Sequence, residues 1–262
     1  MKSYLRKFLY SLLFGNKILN EASAVIAVSD LERDQILAKG VLSRKISILP
    51  PVFELPADLE VYRGVFRRQH SIGSGTDLLL FLGRLHPIKG IPILLKACAE
   101  LFKVFPETLL VLAGPDDSYG AETKKQVHDL GIGGQVIMTG LLAGADKFAA
   151  YVDASVYILP SVYEVFGSTI LEACGCGIPV VVTKQCGMAG YVSEHQVGEV
   201  VSYDWKELFA ALKKLLADKD LRSRYGRAGK QMVRDHFSAE KITADYVRLC
   251  HNVLKNRRTG EK

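Results

Sequence analysis

From residue 77 onward the chain alternates short apolar runs with helix-length segments, and no other feature of the 262-residue sequence restricts the fold as strongly. The runs cover 78–82, 109–113, 136–139, 155–159, 179–182 and 198–201. Most are largely apolar without polar alternation, which is the pattern of strands buried on both faces. Between and after them the sequence predicts helices over 91–105, 121–130, 145–152 and 168–176, then over 205–217, 221–236 and 239–254. Strands separated by helices are joined by crossovers, so the expected fold class is α/β, a doubly wound parallel sheet of Rossmann-like form. In such sheets ligands sit beyond the carboxyl ends of the strands. That directs attention to the loops beginning at Gly83, Gly114, Gly140, Pro160 and Thr183.

The first 76 residues are less regular. Residues 24–28 have strand character, and Ser29-Asp30-Leu31-Glu32 supplies the hydroxyl and carboxylate of a helix start, with Gly40 as its stop. A second short strand is expected over 46–49, ended by Pro50 and Pro51; the prolines, glycines and arginines (Arg63, Arg67, Arg68) up to Thr76 read as an interdomain linker. The resulting division is 1–51, 52–76, 77–237 and 238–262. At the start, Lys2, Arg6 and Lys7 precede an apolar stretch over 8–14, and Ala22-Ser23-Ala24 resembles a signal peptidase site. Gly15, Asn16 and Lys17 interrupt the stretch, and Asn20 and Glu21 suit a cleavage site poorly, so a signal peptide is not expected. Leu5, Phe8, Leu9, Leu12 and Leu13 instead share one face of a basic amphipathic helix. Packing onto the protein and resting on an anionic membrane surface both fit that face.

Composition excludes some classes and leaves others open. With 48% hydrophobic and 24% charged residues the chain is globular rather than disordered. A net charge of +6 suits anionic partners without choosing among nucleic acid, phosphorylated metabolites and a membrane. Five cysteines (Cys98, Cys174, Cys176, Cys186, Cys250) are an odd number with no zinc-type spacing, which fits reduced thiols in a cytoplasmic protein. No metal site is expected. No apolar stretch approaches the roughly 20 residues of a membrane-spanning helix.

Two segments could carry chemistry. The strand at 78–82 leads not into G-x-G-x-x-G but into Gly83-Arg84-Leu85-His86-Pro87-Ile88-Lys89-Gly90, opening a helix. An arginine fork, a lysine point charge and free helix amides together suit a diphosphate; two solvated surface cations are the alternative. The missing glycine fingerprint weakens a nicotinamide-dependent oxidoreductase. The second segment runs from Pro160 to Val181 and places Glu164 on a loop and Glu172 in the following helix. Each carboxylate could accept vicinal sugar hydroxyls. Spacing alone leaves open a capping box between Thr169 and Glu172 and a solvated loop acid at Glu164. Paired carboxylates also mark glycosidases, but those need no adjoining diphosphate cradle.

The composite of these motifs resembles the C-terminal, donor-binding half of GT-B fold glycosyltransferases of the group 1, family 4 type, the large retaining family that includes glycogen and sucrose synthases. G-R-L-x-x-x-K-G at Gly83, V-L-A-G at Val111 and P-S-x-x-E-x-F-G-x-x-x-L-E-A-x-x-x-G-x-P-V-V at Pro160 occur in family order and spacing. Upstream, A-V-I-A-V-S-D at Ala24 and I-S-I-L-P-P at Ile46 resemble the end of the family's N-terminal domain, and the last helix resembles its crossing segment.

The resemblance implies a nucleotide-diphosphate sugar donor, UDP- or GDP-linked, with no cofactor or required metal and a glycan or lipid-linked acceptor. Arg84 and Lys89 would hold the diphosphate beside Gly83, Glu172 the ribose, Glu164 with the amides of Phe166 and Gly167 the sugar, and Gly140 and Leu141 the base. A nucleic-acid partner is not expected. The family's glycine-rich acceptor loop and its histidine have no match in this sequence, and Cys186-Gly187-Met188-Ala189-Gly190 lacks the acid of a usual Gly-Gly-x-x-Glu. Three readings follow: a fragment, a donor-binding subunit completed by a separate N-terminal-domain chain, or a domain that binds nucleotide-sugar without turnover. Self-association is expected of the uncovered N-terminal remnant. A non-catalytic membrane or protein interaction module built on the basic first helix and Arg63 to Arg68 is the alternative from a different class.

Overall fold

The structure, a computed structural model, describes residues 15–259. The amphipathic face anticipated from Leu5 to Leu13 lies outside them. Contacts divide the chain into two units, one made of the residues up to Phe53 with those from Phe237, the other of Glu54–His236.

In the smaller unit, strands β1 (Val25–Ala27) and β2 (Ile46–Ile48) pair in parallel, with Val25 opposite Ile46. The helix Asp30–Leu37 starts as its sequence dictates: the Ser29 hydroxyl accepts from the Glu32 amide at 3.2 Å, and the Glu32 carboxylate accepts from Val28 N at 2.7 Å. Val25, Ala27, Ile36 and Val41 form a small core. The helix Ala239–Thr259 belongs to the same unit, where the Tyr246 hydroxyl donates to the Leu49 carbonyl at 3.4 Å.

The larger unit is built on one six-stranded parallel sheet. Its strands are β3 (Leu78–Leu82), β4 (Leu109–Ala113), β5 (Val136–Gly140), β6 (Val156–Leu159), β7 (Val180–Thr183) and β8 (Gly198–Val201), in the spatial order β5-β4-β3-β6-β7-β8. The doubly wound class expected from the alternation is therefore the observed one. The central strands are buried at all but two positions, Leu82 and Leu109, while β5 and most of β8 at the edges are only half covered, in keeping with the more apolar central runs. β5 runs one residue further than expected, and β6 and β7 begin one residue later. Pro179 cannot donate to the ladder, and its carbonyl accepts from Tyr157 N at 2.9 Å just ahead of β7. Helices Ile91–Val104 and Trp205–Ala217 pack together, with the Lys96 ammonium 4.7 Å from the centre of the Trp205 indole.

Among the described residues, two short helices of the larger unit were not legible in the sequence. Val65–Gln69 lies within the stretch read as a linker, and Ala189–Glu194 follows β7. Five and six residues are too few to show a helical period. The first is held from outside: the buried Asp153 carboxylate accepts from Gly64 N at 2.6 Å and Arg67 N at 3.1 Å, and Phe66 is almost fully buried. Two arginines of this stretch are likewise engaged. The Arg67 guanidinium donates to the carbonyls of Gly73, Thr76 and Asp153, and Arg63 pairs with Glu60, which holds its guanidinium above its ordinary pKa. No described helix is long and apolar enough to cross a membrane.

Candidate functional site

β3 and β6 lie side by side, but the chain leaves them in opposite directions, β3 toward β4 and β6 toward β7. The carboxyl ends of these two strands are therefore the switch point of the sheet, the usual ligand position in an open α/β fold. Both chemistry-bearing segments of the sequence begin at these two strand ends.

The loop after β3 is pinned first to the loop after β4. Leu85 N donates to the Pro115 carbonyl at 2.9 Å, and Asp117 N to the Leu85 carbonyl at 3.2 Å. Gly114 adopts φ +148°, and a Cβ there would stand 1.9 Å from the Gly83 carbonyl oxygen, so only glycine permits this approach. Arg84 forms an ion pair with Asp117 across the two loops, with both side chains open to solvent. His86 Nδ1 accepts from Ile88 N at 3.2 Å and so caps the single turn Pro87–Lys89. It serves as a loop residue, as its place before Pro87 suggests.

The same loop then meets the loop after β6. Val162 N donates to the Ile88 carbonyl at 2.8 Å. Gly90 has φ +73°, and a Cβ on it would lie 1.8 Å from the Pro160 carbonyl oxygen. This contact carries Lys89 to Glu164, whose carboxylate receives the ammonium at 2.5 Å; the two side chains are only 16% and 19% exposed. Glu164 is therefore not a solvated loop acid. Its backbone is bound in turn to the loop after β7, with its amide donating to the Gln185 carbonyl at 3.1 Å and its carbonyl accepting from Gly187 N at 2.8 Å. Cys186 in that loop is buried, and burial pushes its thiol up to about 12, so it remains protonated and serves as packing. Beneath the site the Thr183 hydroxyl donates to the Ser161 carbonyl at 2.5 Å, and the buried Ser161 hydroxyl has no partner among the described residues.

Gly167, at φ +90°, turns the chain into the helix Ser168–Gly175, with Phe166 buried just before it. Glu172 lies on this helix, but no capping box forms. The Thr169 hydroxyl accepts from the Tyr157 phenol at 2.7 Å, while Glu172 Oε1 pairs with the Lys147 ammonium at 2.7 Å and Oε2 accepts from the Tyr151 phenol at 2.9 Å. Burial raises the pKa of both phenols well above the ordinary tyrosine value, so they act as donors. Gly140 ends the edge strand β5 at φ +72°, its carbonyl accepting from Gly114 N at 2.7 Å, and Leu141 beyond it is exposed.

The structure thus joins Lys89 to Glu164, sets Arg84 against Asp117, and gives Glu172 two partners that sequence reasoning missed. Lys147 and Tyr151 stand four residues apart on the helix Gly144–Asp153 and share one face of it. That spacing was the available signal, but nothing local identifies a partner 25 residues away. Among the described residues, no group of three or more His, Cys, Asp or Glu could hold a metal ion.

Residues 63–232 match the family model described as glycosyl transferases group 1. The chain is 30% identical over 205 residues to the D-inositol 3-phosphate glycosyltransferase of Pseudarthrobacter chlorophenolicus, covering 75% of this chain and 49% of that one. It spans about half the length of the curated relatives it matches. Among solved structures, Anabaena Alr3699/HepE in complex with UDP and glucose superposes with a TM-score of 0.81 at 22% identity, over 91% of this chain and 66% of that one. The sucrose-phosphate synthase of Thermosynechococcus elongatus gives 0.78 at 26% identity, over 93% and 61%. The motif order, the sheet topology and these likenesses agree that the chain belongs to the group 1 glycosyltransferases, of which it carries the C-terminal domain.

Proposed function

We propose that Glu54–His236 forms the nucleotide-sugar site of a retaining glycosyltransferase, active together with an acceptor-binding domain. The observation that carries this reading is the meeting of Lys89 and Glu164 at the switch point of the sheet, a cation and a carboxylate brought together from two loops. Arg84 and Lys89 bind the donor diphosphate, Glu172 the ribose hydroxyls, and Glu164 with the amides near Phe166 and Gly167 the sugar. Gly140 and Leu141 flank the base. In transfer, the bond from the anomeric carbon to the diphosphate breaks and a new one forms to an acceptor hydroxyl, whose proton passes to an oxygen of the departing diphosphate. Charge growing on that leaving group is met by Arg84 and Lys89 rather than by a metal ion. Glu164 and Arg84 exchange their present partners, Lys89 and Asp117, for the donor. HepE was solved with UDP and with UDP-glucose, which makes UDP the first nucleotide to try. The interaction-module alternative has less support, since Arg63 and Arg67 are already engaged within the fold.

Calorimetric titration with UDP, GDP and ADP on the parent chain and on Arg84→Ala tests the reading. Loss of a charged hydrogen bond is worth about 1.5 to 3 kcal/mol, so affinity for the bound nucleotide is expected to fall on the order of 10- to 150-fold. A folded parent chain that binds none of the three would overturn the donor site.

A further inference from the structure

Glu172 is held by two donors of different kinds from a single neighbouring helix. Lys147 brings a charge to Oε1 at 2.7 Å and Tyr151 a neutral hydroxyl to Oε2 at 2.9 Å. An ionised carboxylate offers about four lone-pair positions. One bond on each oxygen leaves one position open on each, and a vicinal diol presents two hydroxyl donors that match such a pair. The Glu172 side chain is only 17% exposed, so without a cation beside it the charge would be costly to keep.

The two partners are themselves fixed. The Lys147 ammonium lies 4.9 Å from the centre of the Phe148 ring, and the Tyr151 phenol is fully buried, with the Thr169 carbonyl at 3.2 Å as a second, longer acceptor for its single proton. Burial keeps that phenol protonated across the physiological range. The carboxylate is thus constrained at both oxygens, in charge by one partner and in plane by both.

We propose that Lys147 and Tyr151 are positioning residues that hold the Glu172 carboxylate in the orientation that reads a ribose diol, and so set the preference for ribonucleotide over deoxynucleotide donors. This rests on the donor-site reading above. Neither residue needs to touch the nucleotide, which separates their effect from that of Arg84.

The test is titration of UDP, GDP and ADP, each against its 2′,3′-dideoxy counterpart, into the parent chain, Lys147→Met and Tyr151→Phe. The parent is expected to prefer the ribonucleotide by about tenfold or more. Lys147→Met brings the two ligands to within about threefold of each other while affinity for the dideoxy ligand stays put, and Tyr151→Phe, which keeps the ring and its packing, lowers the preference by about threefold. If both ligands weaken in step in Lys147→Met, or neither changes, Lys147 does not orient Glu172 and the inference fails while the donor site stands. A parent chain that binds nucleotide with no ribose preference removes Glu172 from the site, and one that binds no nucleotide removes the donor site itself.

Discussion

Gly90 shows how much one missing side chain can decide. Its φ of +73° and the 1.8 Å that would separate a Cβ from the Pro160 carbonyl oxygen make it the hinge on which the loops after β3 and β6 meet. An L-residue in left-handed conformation costs about 1 to 2 kcal/mol before any clash is counted. Gly90→Ala is therefore expected to lower unfolding stability by at least about 2 kcal/mol and to part Lys89 from Glu164. Gly190, in a helix with open space around it, serves as control: Gly190→Ala should be neutral or stabilising by up to about 1 kcal/mol. Denaturant melts of the two variants check both, and equal losses would count against this account of Gly90. At this scale the sequence identified the cations and carboxylates by type and spacing. It could not assign Asp117 to Arg84 or Lys147 to Glu172, because those pairs are 33 and 25 residues apart along the chain.

Among the elements, the helix Val65–Gln69 depends most on its surroundings. An isolated five-residue helix is not stable in water, and here two of its N-terminal amides find their acceptor in the buried Asp153, nearly ninety residues later. Removing that acceptor leaves two amides without a partner, while the Arg67 guanidinium keeps its three backbone carbonyls. Asp153→Ala is expected to cost about 1 to 3 kcal/mol in global stability and to speed hydrogen exchange at Gly64 and Arg67 selectively. Uniform exchange across the unit would show that the helix does not rely on this carboxylate. The long elements needed no such support to be read: β3 announces itself by an uninterrupted apolar run and Ile91–Val104 by the helical period of its apolar face.

For the whole molecule, burial of neutral acids gives stability a defined pH dependence. The thiols of Cys174, Cys176 and Cys186 are pushed up to about 12, that of Cys98 is also raised, and the phenols of Tyr151 and Tyr157 lie well above their ordinary value. In the unfolded chain these groups lose their protons from about pH 8.5 for cysteine and about pH 10 for tyrosine. Above those values the folded state binds more protons than the unfolded one, so the stability they contribute, complete at lower pH, is lost as pH rises through the folded values. Each such group removes up to about 1.4 kcal/mol per pH unit. The denaturation midpoint should hold steady to about pH 8.5 and then fall progressively toward pH 11, and a midpoint that is flat across this window would contradict the burial of these groups.

The sequence by itself determined the class of fold, the order of the strands along the chain and the residue types at the two loops, since these follow from local periodicity and from motifs contiguous in the chain. It also carried the family, because G-R-L-x-x-x-K-G and the Glu164 to Glu172 segment are short and ordered. Only the tertiary structure decided which strands are neighbours, and hence that β3 and β6 bring Lys89 against Glu164, that Arg84 rests on Asp117, and that Glu172 is held by Lys147 and Tyr151. The physical reason is range. Propensity and capping act over a few residues, whereas a charged pair or a buried carboxylate at a helix start joins groups that only sheet formation makes adjacent.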